Sequence, residues 1–238
     1  MLSRSKDPMG HAIYDYYHNK PLSILRVECS IAADDEIPIP YLFREYEEFP
    51  NLEQVAMKYC KGRILDVGIG AGCHCAYLMS QGFEVLGIDI SELAVEVCKE
   101  KGIAVKAISI YDLNEEGYDT ILLLMNGLGI VGDFGGLDRF FQKAKGILNP
   151  GGQILVESSD IKYMFEEEDG SFKIPFGTKF YGELEYRMSY NNIEGDAFPW
   201  LYLPFELLED HAKKHGFGIE RLFEDDSHAY LAKITLSK

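Results

Sequence analysis

Three glycines at alternate positions follow an apolar run that ends in an acid, and these residue types suit the binding of a ligand. The acid is Asp66, and the glycines are Gly68, Gly70 and Gly72. The pattern predicts a buried strand, a tight turn and the start of a helix. Glycine suits the turn because it accepts unusual backbone angles and lets a ligand approach the main chain closely. The free amide groups of the following helix favour an anionic group.

A second acid stands at the end of the next predicted strand. The apolar segment over 84–88 is followed directly by Asp89 and Ile90. A carboxylate at the end of the second strand can accept both hydroxyls of a ribose. A turn for an anionic group and an acceptor for a ribose together imply an adenosine-type ligand.

The spacing of the glycines separates two classes of adenosine ligand. A dinucleotide fingerprint reads G-x-G-x-x-G/A, but Cys73 occupies its third position here. The pattern G-x-G-x-G after Asp66 instead resembles motif I of the class I S-adenosylmethionine-dependent methyltransferases. In that family the loop holds the methionine end of the cofactor, and the acid after the second strand holds the ribose. The resemblance therefore implies S-adenosylmethionine as cofactor and S-adenosylhomocysteine as product.

The resemblance also implies a set of cofactor contacts. They are Asp66, Gly68, Gly70, Gly72, Asp89, Ile90, Ser109, Ile110, Met125 and Asn126. One position departs from the family, which often has an acid after the third strand that accepts from the adenine amine. Ser109 stands there, and Asp112 follows three residues later. Whether Ser109 or Asp112 contacts adenine stays open.

Strand and helix signals alternate along most of the chain. Core strands are predicted over about 63–67, 84–88, 105–109, 120–125 and 153–157, helices over about 51–59, 71–80, 92–101, 137–148 and 207–217, and two final strands over about 219–223 and 229–235. This order again resembles the class I methyltransferases, strongly over 51–160 and moderately over 204–238. It predicts a doubly wound, Rossmann-like α/β fold. Its seven-stranded, mostly parallel sheet would end in an antiparallel C-terminal hairpin.

Two segments lie outside this alternation. Residues 1–50 form an aromatic-rich N-terminal extension to the methyltransferase domain, which is predicted over 51–238. Within that domain, residues 161–203 show period-two alternation and predict an antiparallel insertion. The aromatic surface of the extension is larger than a solvated segment tolerates. It is predicted to be a lid over the ligand cleft, with the insertion as the opposite wall, or else to pack on the core alone.

Candidates for the acceptor side follow from the chemistry of methyl transfer. The enzyme must align the acceptor with the methyl carbon and exclude water, and it needs a base only where the acceptor loses a proton. The predicted candidates are Asn126 and Asp160 at strand ends, and Tyr14 and Tyr17, whose rings could face a sulfonium. Turn capping by Asp160 and simple packing of the tyrosines are the structural alternatives. Further candidates are Ser158, Ser159, His18 and His74.

Composition restricts the partners. The 238 residues include 39 acids and 23 bases, which gives a formal net charge of −16. Such a surface repels phosphate backbones, so the acceptor is predicted to be a small molecule rather than a nucleic acid. The sequence contains no apolar run of membrane-spanning length, and its oligomeric state stays open. Five cysteines without framework spacing, and no apolar signal core at the start, predict a cytoplasmic location.

A metal site is not predicted. Cys73, His74 and Cys75 resemble a ligand triplet, but residues two apart on a helix do not share a face.

Three other functions compete with methyl transfer. Cys73 argues against an NAD-dependent oxidoreductase. An aminopropyltransferase resembles this fold but carries an acidic pair where this chain has Asn126 and Gly127. A non-catalytic S-adenosylmethionine-binding protein is excluded by nothing in the sequence.

Overall fold

The computed structural model describes residues 1–167, 169–174 and 179–236, and these contain twelve strands and six α-helices. The strands are β1 (Leu25–Cys29), β2 (Asp35–Ile37), β3 (Arg63–Val67), β4 (Glu84–Asp89), β5 (Val105–Ala107), β6 (Tyr118–Leu123), β7 (Leu148–Ser159), β8 (Glu183–Tyr190), β9 (Ile193–Glu194), β10 (Phe198–Leu201), β11 (Phe217–Glu224) and β12 (Ala229–Leu236). The helices are α1 (Pro8–Tyr17), α2 (Asn51–Tyr59), α3 (Cys73–Ser80), α4 (Glu92–Glu100), α5 (Phe134–Ile147) and α6 (Phe205–Lys214). None of these helices is long and apolar enough to cross a membrane.

The central sheet has seven strands in the order β11-β12-β7-β6-β3-β4-β5. Strands β3 to β7 run parallel, and β12 joins β7 antiparallel, with β11 beside it. The chain progresses outward from β3 in one direction and from β6 in the other. The strand order therefore reverses between β3 and β6, where open α/β sheets bind their ligands beyond the carboxyl ends. The predicted fold class and C-terminal hairpin are confirmed.

Helices cover both faces of this sheet, which explains the continuous apolar runs of its strands. Adjacent residues of β3, Ile64 and Leu65, enter two different core clusters, one on each face. Helices α2, α3 and α4 pack on the face of Ile64, and α5 and α6 on the face of Leu65. Covering both faces leaves the carboxyl edge of the sheet as the place for a crevice.

Several predicted boundaries differ from the structure for local reasons. Helix α3 begins at Cys73 rather than 71, because Gly70 and Gly72 have φ of +54° and +79°. Strand β5 ends at Ala107, and Ser109 caps a short 3₁₀ turn instead of extending the strand. Strand β7 is longer than predicted, because the predicted turn over 149–152 lies within it beside an irregularity in its pairing with β6.

A second, antiparallel sheet joins the two segments that lie outside the α/β alternation. It has the order β10-β8-β1-β2, with β9 paired to β8. Strand β1 from the extension pairs with β8 from the insertion over five residue pairs, Leu25–Cys29 against Tyr186–Tyr190. The two segments, which were predicted to form opposite walls of the cleft, therefore share one sheet. Residues 168 and 175–178 of the predicted insertion lie outside the described residues.

Glycines allow the second sheet to pack on the central one. Trp200 of β10 covers Gly129 in the segment after β6, and a Cβ on Gly129 would overlap its indole. Pro199 covers Gly132 in the same way. Trp200 is half-buried. Its position links the second sheet to the end of β6.

The extension is attached to α4 by a buried carboxylate. Asp7 is 1% exposed and caps α1 by accepting from the Gly10 amide at 2.8 Å. Its other oxygen accepts from the hydroxyl of Ser91, which in turn caps α4. A Cβ on Gly10 would overlap both the Asp7 carboxylate and the Ser91 hydroxyl. The side chain of Asp7 therefore caps α1 and also holds Ser91, the cap of α4. Ser91 lies two residues after Asp89.

This attachment predicts opposite effects for two glycine substitutions in helices. Gly10→Ala should lower the free energy of unfolding by roughly 1–3 kcal/mol, because the buried Asp7–Ser91 contact must move. Gly146→Ala in α5 is the control, since nothing lies within 4 Å of its Cβ. It should be neutral or stabilise by up to about 1 kcal/mol through helix propensity. Chemical denaturation of both variants measures this, and equal effects would contradict the role of the contact.

Candidate active site

The glycine loop after β3 is open on the side where a ligand would approach. Gly68 and Gly70 have φ of +78° and +54°, and nothing lies within 4 Å of a Cβ built on either. Gly72 is different, because a Cβ there would overlap Ile103. Gly72 therefore serves packing of the loop, whereas Gly68 and Gly70 leave space above it.

Asp89 joins this loop to the second parallel strand. Its Oδ2 accepts from the Gly70 amide at 3.0 Å, and its Oδ1 accepts from the Ser91 amide at 2.9 Å. Burial raises the pKa of Asp89, and these amide hydrogen bonds oppose the shift. Because a carboxylate has about four acceptor positions, each oxygen can still accept from one more donor. The geometry fits an acceptor for a diol.

Other predicted cofactor residues lie along the same edge. Ile90 follows Asp89 and is 47% exposed. The segment after β5 is tied to β4 because the Ile108 amide donates to the Asp89 carbonyl at 2.8 Å. The hydroxyl of Ser109 accepts from the Tyr111 amide, and Ile110 is buried. An apolar surface with adjacent backbone groups suits a flat heterocycle.

Asp66 lies beneath the loop rather than on its surface. It is 3% exposed, and its Oδ2 accepts from the thiol of Cys75 at 3.2 Å. Burial raises the pKa of Asp66, although the nearby charge of His74 lowers it. Its contact with Cys75 ties the end of β3 to the first turn of α3.

A buried chain of charged groups lies beside the loop. Glu53 of α2 accepts from Arg44 Nη2 through one oxygen, and its other oxygen lies 2.9 Å from His74 Nε2. These three side chains are at most 8% exposed. The chain joins the extension, α2 and the first turn of α3. The ring of Phe49 packs against His74 at 4.9 Å between centroids.

Hydrogen bonding keeps this chain ionised in spite of burial. Burial disfavours the charge on Glu53, but its bonds to His74 and Arg44 hold its pKa below the usual range. Burial likewise disfavours the His74 cation, whereas hydrogen bonds with Cys73 and Glu53 raise the pKa of His74 to about 10. Arg44 Nε is the one buried side-chain nitrogen or oxygen without a hydrogen-bond partner in the described part of the chain. A ligand acceptor would satisfy it.

A buried carboxylate also lies at the end of the fifth core strand. Glu157 of β7 is 8% exposed, and its Oε2 accepts from the Met125 amide at 2.7 Å. Burial and the charge of Glu53 raise the pKa of Glu157 to about 7. A carboxyl that ionises near neutrality at this edge of the sheet is suited to exchange protons with a ligand.

The backbone after β6 is strained where Glu157 holds it. Met125 and Asn126 have φ of +57° and +54°, a region that side chains other than glycine rarely adopt. Met125 remains 37% exposed, and Asn126 Oδ1 accepts from the Ser159 hydroxyl at 2.8 Å. That contact leaves the amide NH₂ of Asn126 free to donate. Strain of this kind concentrates at ligand-binding positions.

The acceptor-side candidates divide into two groups. Asn126 and Ser159 lie together at the strand ends, as predicted. Asp160 instead caps the following turn, and its Oδ1 accepts from the Tyr181 hydroxyl at 2.7 Å and from the Lys162 amide at 2.9 Å. Ser158 points to the other face of the sheet and accepts from the Leu203 amide. The capping role considered for Asp160 is thus present in the structure.

The predicted aromatic candidates lie on α1, which packs beside α4. Tyr14 and Tyr17 pack on the ring of His18, whose Nε2 lies 3.2 Å from Glu100 at the end of α4. Both tyrosines pack against a hydrophobic cluster that includes Ala71 of the glycine loop. The end of α4 is also close to this loop, since the Cys98 thiol donates to the Gly70 carbonyl at 3.3 Å. The tyrosines line α4 because α1 runs alongside it.

The side chains that resembled a metal triplet have other partners. His74 pairs with Glu53, and Cys75 donates to Asp66. Over residues 1–167, 169–174 and 179–236, no group of three or more metal-ligating side chains converges.

Sequence reasoning missed Arg44, Glu53 and Glu157. Glu157 had a usable signal, since it ends the apolar run of residues 154–156 just as Asp66 ends that of 64–65. Arg44 and Glu53 had none, because charged residues near a proline-containing loop usually face solvent. Only the packing of the extension on α2 and α3 buries them.

Comparison with known proteins now identifies the family. A family model described as a methyltransferase domain matches residues 64–152. A solved S-adenosylmethionine-dependent methyltransferase from Bacteroides fragilis, in complex with S-adenosyl-L-homocysteine, is 44% identical; the match covers 100% of this chain and 98% of that chain, with a TM-score of 0.93. The chain belongs to the S-adenosylmethionine-dependent methyltransferases. This confirms the predicted class, fold and cofactor.

Two more distant relatives share the fold or part of the sequence. The CcbJ methyltransferase from Streptomyces caelestis shares the fold, with a TM-score of 0.62 at 16% identity over 81% of this chain and 95% of that chain. A ubiquinone biosynthesis O-methyltransferase from Mesorhizobium japonicum is 34% identical over 100 residues, which are 40% of this chain and 39% of the relative. The chain thus matches about two fifths of that relative's length.

The raised pKa of Glu157 predicts a pH-dependent effect of Glu157→Gln on stability. Native Glu157 retains its proton up to about pH 7, whereas an unfolded glutamate loses it near pH 4.5. Glu157 therefore makes its full contribution to the free energy of unfolding below about pH 4.5, and this contribution is lost as the pH rises through about 7. Glutamine keeps an acceptor for the Met125 amide without this loss. Relative to the parent, the variant should gain on the order of 2 kcal/mol between about pH 5 and about pH 8.

Denaturant titrations at several pH values measure this difference. Glu194→Gln, at an exposed acid on β9, serves as the control and should show no such trend. A Glu157→Gln variant whose stability parallels that of the parent at every pH would mean that Glu157 ionises like an exposed glutamate.

Proposed function

We propose that the protein transfers a methyl group from S-adenosylmethionine to a small-molecule acceptor. The observation that carries this is the open glycine loop joined to Asp89. Gly68 and Gly70 leave space for a ligand, and Asp89, held by the Gly70 amide, retains acceptor capacity. The Bacteroides fragilis relative contains S-adenosyl-L-homocysteine, which supports the same ligand here.

The edge residues would divide the cofactor among them. Asp89 would accept from the two ribose hydroxyls, and the exposed side chain of Ile90 would pack against the adenine. The turn that begins at Ser109 lies on the other side of β4 and offers backbone groups to the adenine amine. The glycine loop would then lie against the methionine portion of the cofactor. The methyl group of S-adenosylmethionine would face the ends of β6 and β7.

Arg44 is suited to bind the carboxylate of the methionine portion. Its Nη2 is bonded to Glu53 and its Nη1 to the Tyr41 carbonyl, so only Nε lacks an acceptor. A buried donor without a partner costs roughly 1–3 kcal/mol, which a ligand carboxylate would recover. We infer that the cofactor completes the hydrogen bonding of this side chain.

The extension, residues 1–50, would then act as a lid. Its first half packs on α4 through Asp7 and Ser91, and its second half packs on α3, where Tyr46 stacks on Tyr77 at 4.1 Å. These two helices flank the glycine loop, so the extension crosses beside it. Because methyl transfer requires the exclusion of water, a cover at this edge serves the reaction.

The acceptor would be small and would not be a nucleic acid. A net charge of −16 opposes the approach of a phosphate backbone. The cover formed by the extension and the second sheet further restricts the size of an acceptor at this edge. A non-catalytic cofactor-binding protein is the alternative, which binding without turnover of any acceptor would favour.

A pair of glycine variants tests the cofactor site. Gly70→Ala should weaken binding of S-adenosylhomocysteine at least tenfold, because a methyl group would occupy the space above the loop. Gly82→Ala is the matched control, since Gly82 also has positive φ and nothing within 4 Å of its Cβ but lies outside the loop. Its backbone strain is comparable, and its affinity should equal that of the parent. Calorimetry with both variants decides, and normal binding by folded Gly70→Ala would place the ligand elsewhere.

The role of Arg44 predicts a change in ligand preference. Arg44→Lys keeps a charge near Glu53 but removes Nε. The ratio of affinities for S-adenosylhomocysteine and 5′-methylthioadenosine, which lacks the carboxylate, should fall about tenfold. A ratio is insensitive to a uniform loss of folded protein. If Arg44→Lys weakens both ligands equally, Arg44 supports the fold without contacting the carboxylate.

A further inference from the structure

We propose that Glu157 binds the protonated amine of the acceptor and removes its proton before methyl transfer, so that the substrate is a basic amine. This inference rests on the proposed methyl transfer and names its acceptor class. It stands on the position of Glu157 and on its lack of a cationic partner.

Glu157 lies where the acceptor must be. Strand β7 is the neighbour of β6, and the Met125 amide at the end of β6 donates to Glu157 Oε2. The sheet reverses its order between β3 and β6, so a cofactor on the glycine loop presents its methyl group toward these two strand ends. The side chain of Glu157 points to the same face as Leu155, which is the face of α2 and α3.

The charged and titratable groups around Glu157 leave it unpaired. Glu53 of α2 raises its pKa, and His74 of α3 lowers it. Burial, together with the charge of Glu157, raises the pKa of Tyr41 in the extension and of Tyr202 after β10. The cations nearby, Arg44 and His74, are both bound to Glu53.

No Lys, Arg or His of the described chain lies within ion-pair distance of Glu157. The ion pairs of residues 1–167, 169–174 and 179–236 do not include it, although it is only 8% exposed. A buried carboxylate without a cation is costly. A cationic ligand would supply the missing partner, whereas a carboxylate ligand would be repelled. Its pKa of about 7 leaves it able both to hold an ammonium group and to take a proton from it.

The reaction balances with these groups. The Glu157 carboxylate takes a proton from R₂NH₂⁺, which gives the neutral amine and the carboxylic acid. The amine lone pair then forms a C–N bond with the methyl carbon as the C–S bond breaks, and the electron pair of that bond stays on sulfur. The product leaves as a methylated ammonium ion, and Glu157 returns its proton to solvent. Proximity of the sulfonium favours the neutral form of the amine.

Glu157 also has a structural role, and the test must separate this role from the proposed binding and deprotonation of the amine. It holds the strained Met125 and Asn126 backbone by accepting an amide hydrogen bond. Glu157→Gln keeps an oxygen for that bond and loses only the charge and the basicity. This variant therefore preserves the cap while it removes the proposed chemistry.

The experiment measures formation of S-adenosylhomocysteine from S-adenosylmethionine with a panel of primary and secondary amines, each beside its isosteric alcohol and carboxylic acid. Amines alone should react. For the amine that reacts fastest, kcat/KM of the parent should be bell-shaped in pH, limited by Glu157 and by the ammonium group. Glu157→Gln should lose at least 100-fold, and its kcat/KM should rise only with deprotonation of the amine. Its affinity for S-adenosylhomocysteine should be unchanged, and Glu194→Gln should match the parent throughout.

Two results would overturn the inference while leaving methyl transfer intact. They are turnover of an alcohol or an acid in preference to its amine, or a Glu157→Gln profile that keeps the bell shape. Binding of S-adenosylhomocysteine with turnover of no acceptor would overturn both this inference and the proposed methyl transfer. Failure of the parent to bind S-adenosylhomocysteine would instead refute the proposed function itself.

Discussion

The buried carboxylate of Glu53 is the interaction on which the ligand edge depends. It accepts from Arg44 through one oxygen and pairs with His74 through the other, so it joins the extension, α2 and the first turn of α3. Burying three charged groups is unfavourable unless each finds its partner, and breaking such a chain is far more costly than forming it is beneficial. Removing any one segment would leave a buried charge unpaired. The extension is therefore fixed beside the glycine loop by electrostatics as well as by its aromatic packing.

Under the proposed function, the second sheet would cover the carboxyl edge of the parallel sheet. Helices occupy both faces of the parallel sheet, and a short βα loop cannot close over the crevice between β3 and β6. The second sheet combines two segments that are distant in sequence, β1–β2 and β8–β10, and these satisfy each other's backbone hydrogen bonds by pairing. Trp200 packed on Gly129 then connects that sheet to the end of β6. The parts that would cover the acceptor are thus built by one antiparallel sheet.

The two ends of the crevice differ in charge and in chemistry. At the β4 end, Asp89 is held by two amides and suits a neutral diol. At the β7 end, Glu157 is buried without a cation, and its pKa is raised to about 7. Between them, the strained Met125 and Asn126 backbone is held by Glu157 and Ser159. One carboxylate is therefore prepared for hydrogen bonding, and the other for exchange of a proton.

The sequence by itself determined the order of the core elements, the glycine loop and Asp89, because periodicity and turn chemistry act over a few residues and leave local signals. The sequence also predicted that Asn126 and Ser159 lie at strand ends, because parallel strands end at one edge of a sheet. It did not determine the pairing of β1 with β8 or the burial of Arg44 and Glu53. Those features depend on contacts between distant segments, whose partners are chosen by packing and charge rather than by local pattern. For the same reason, only the tertiary structure showed that Glu157 is a buried carboxylate without a cation.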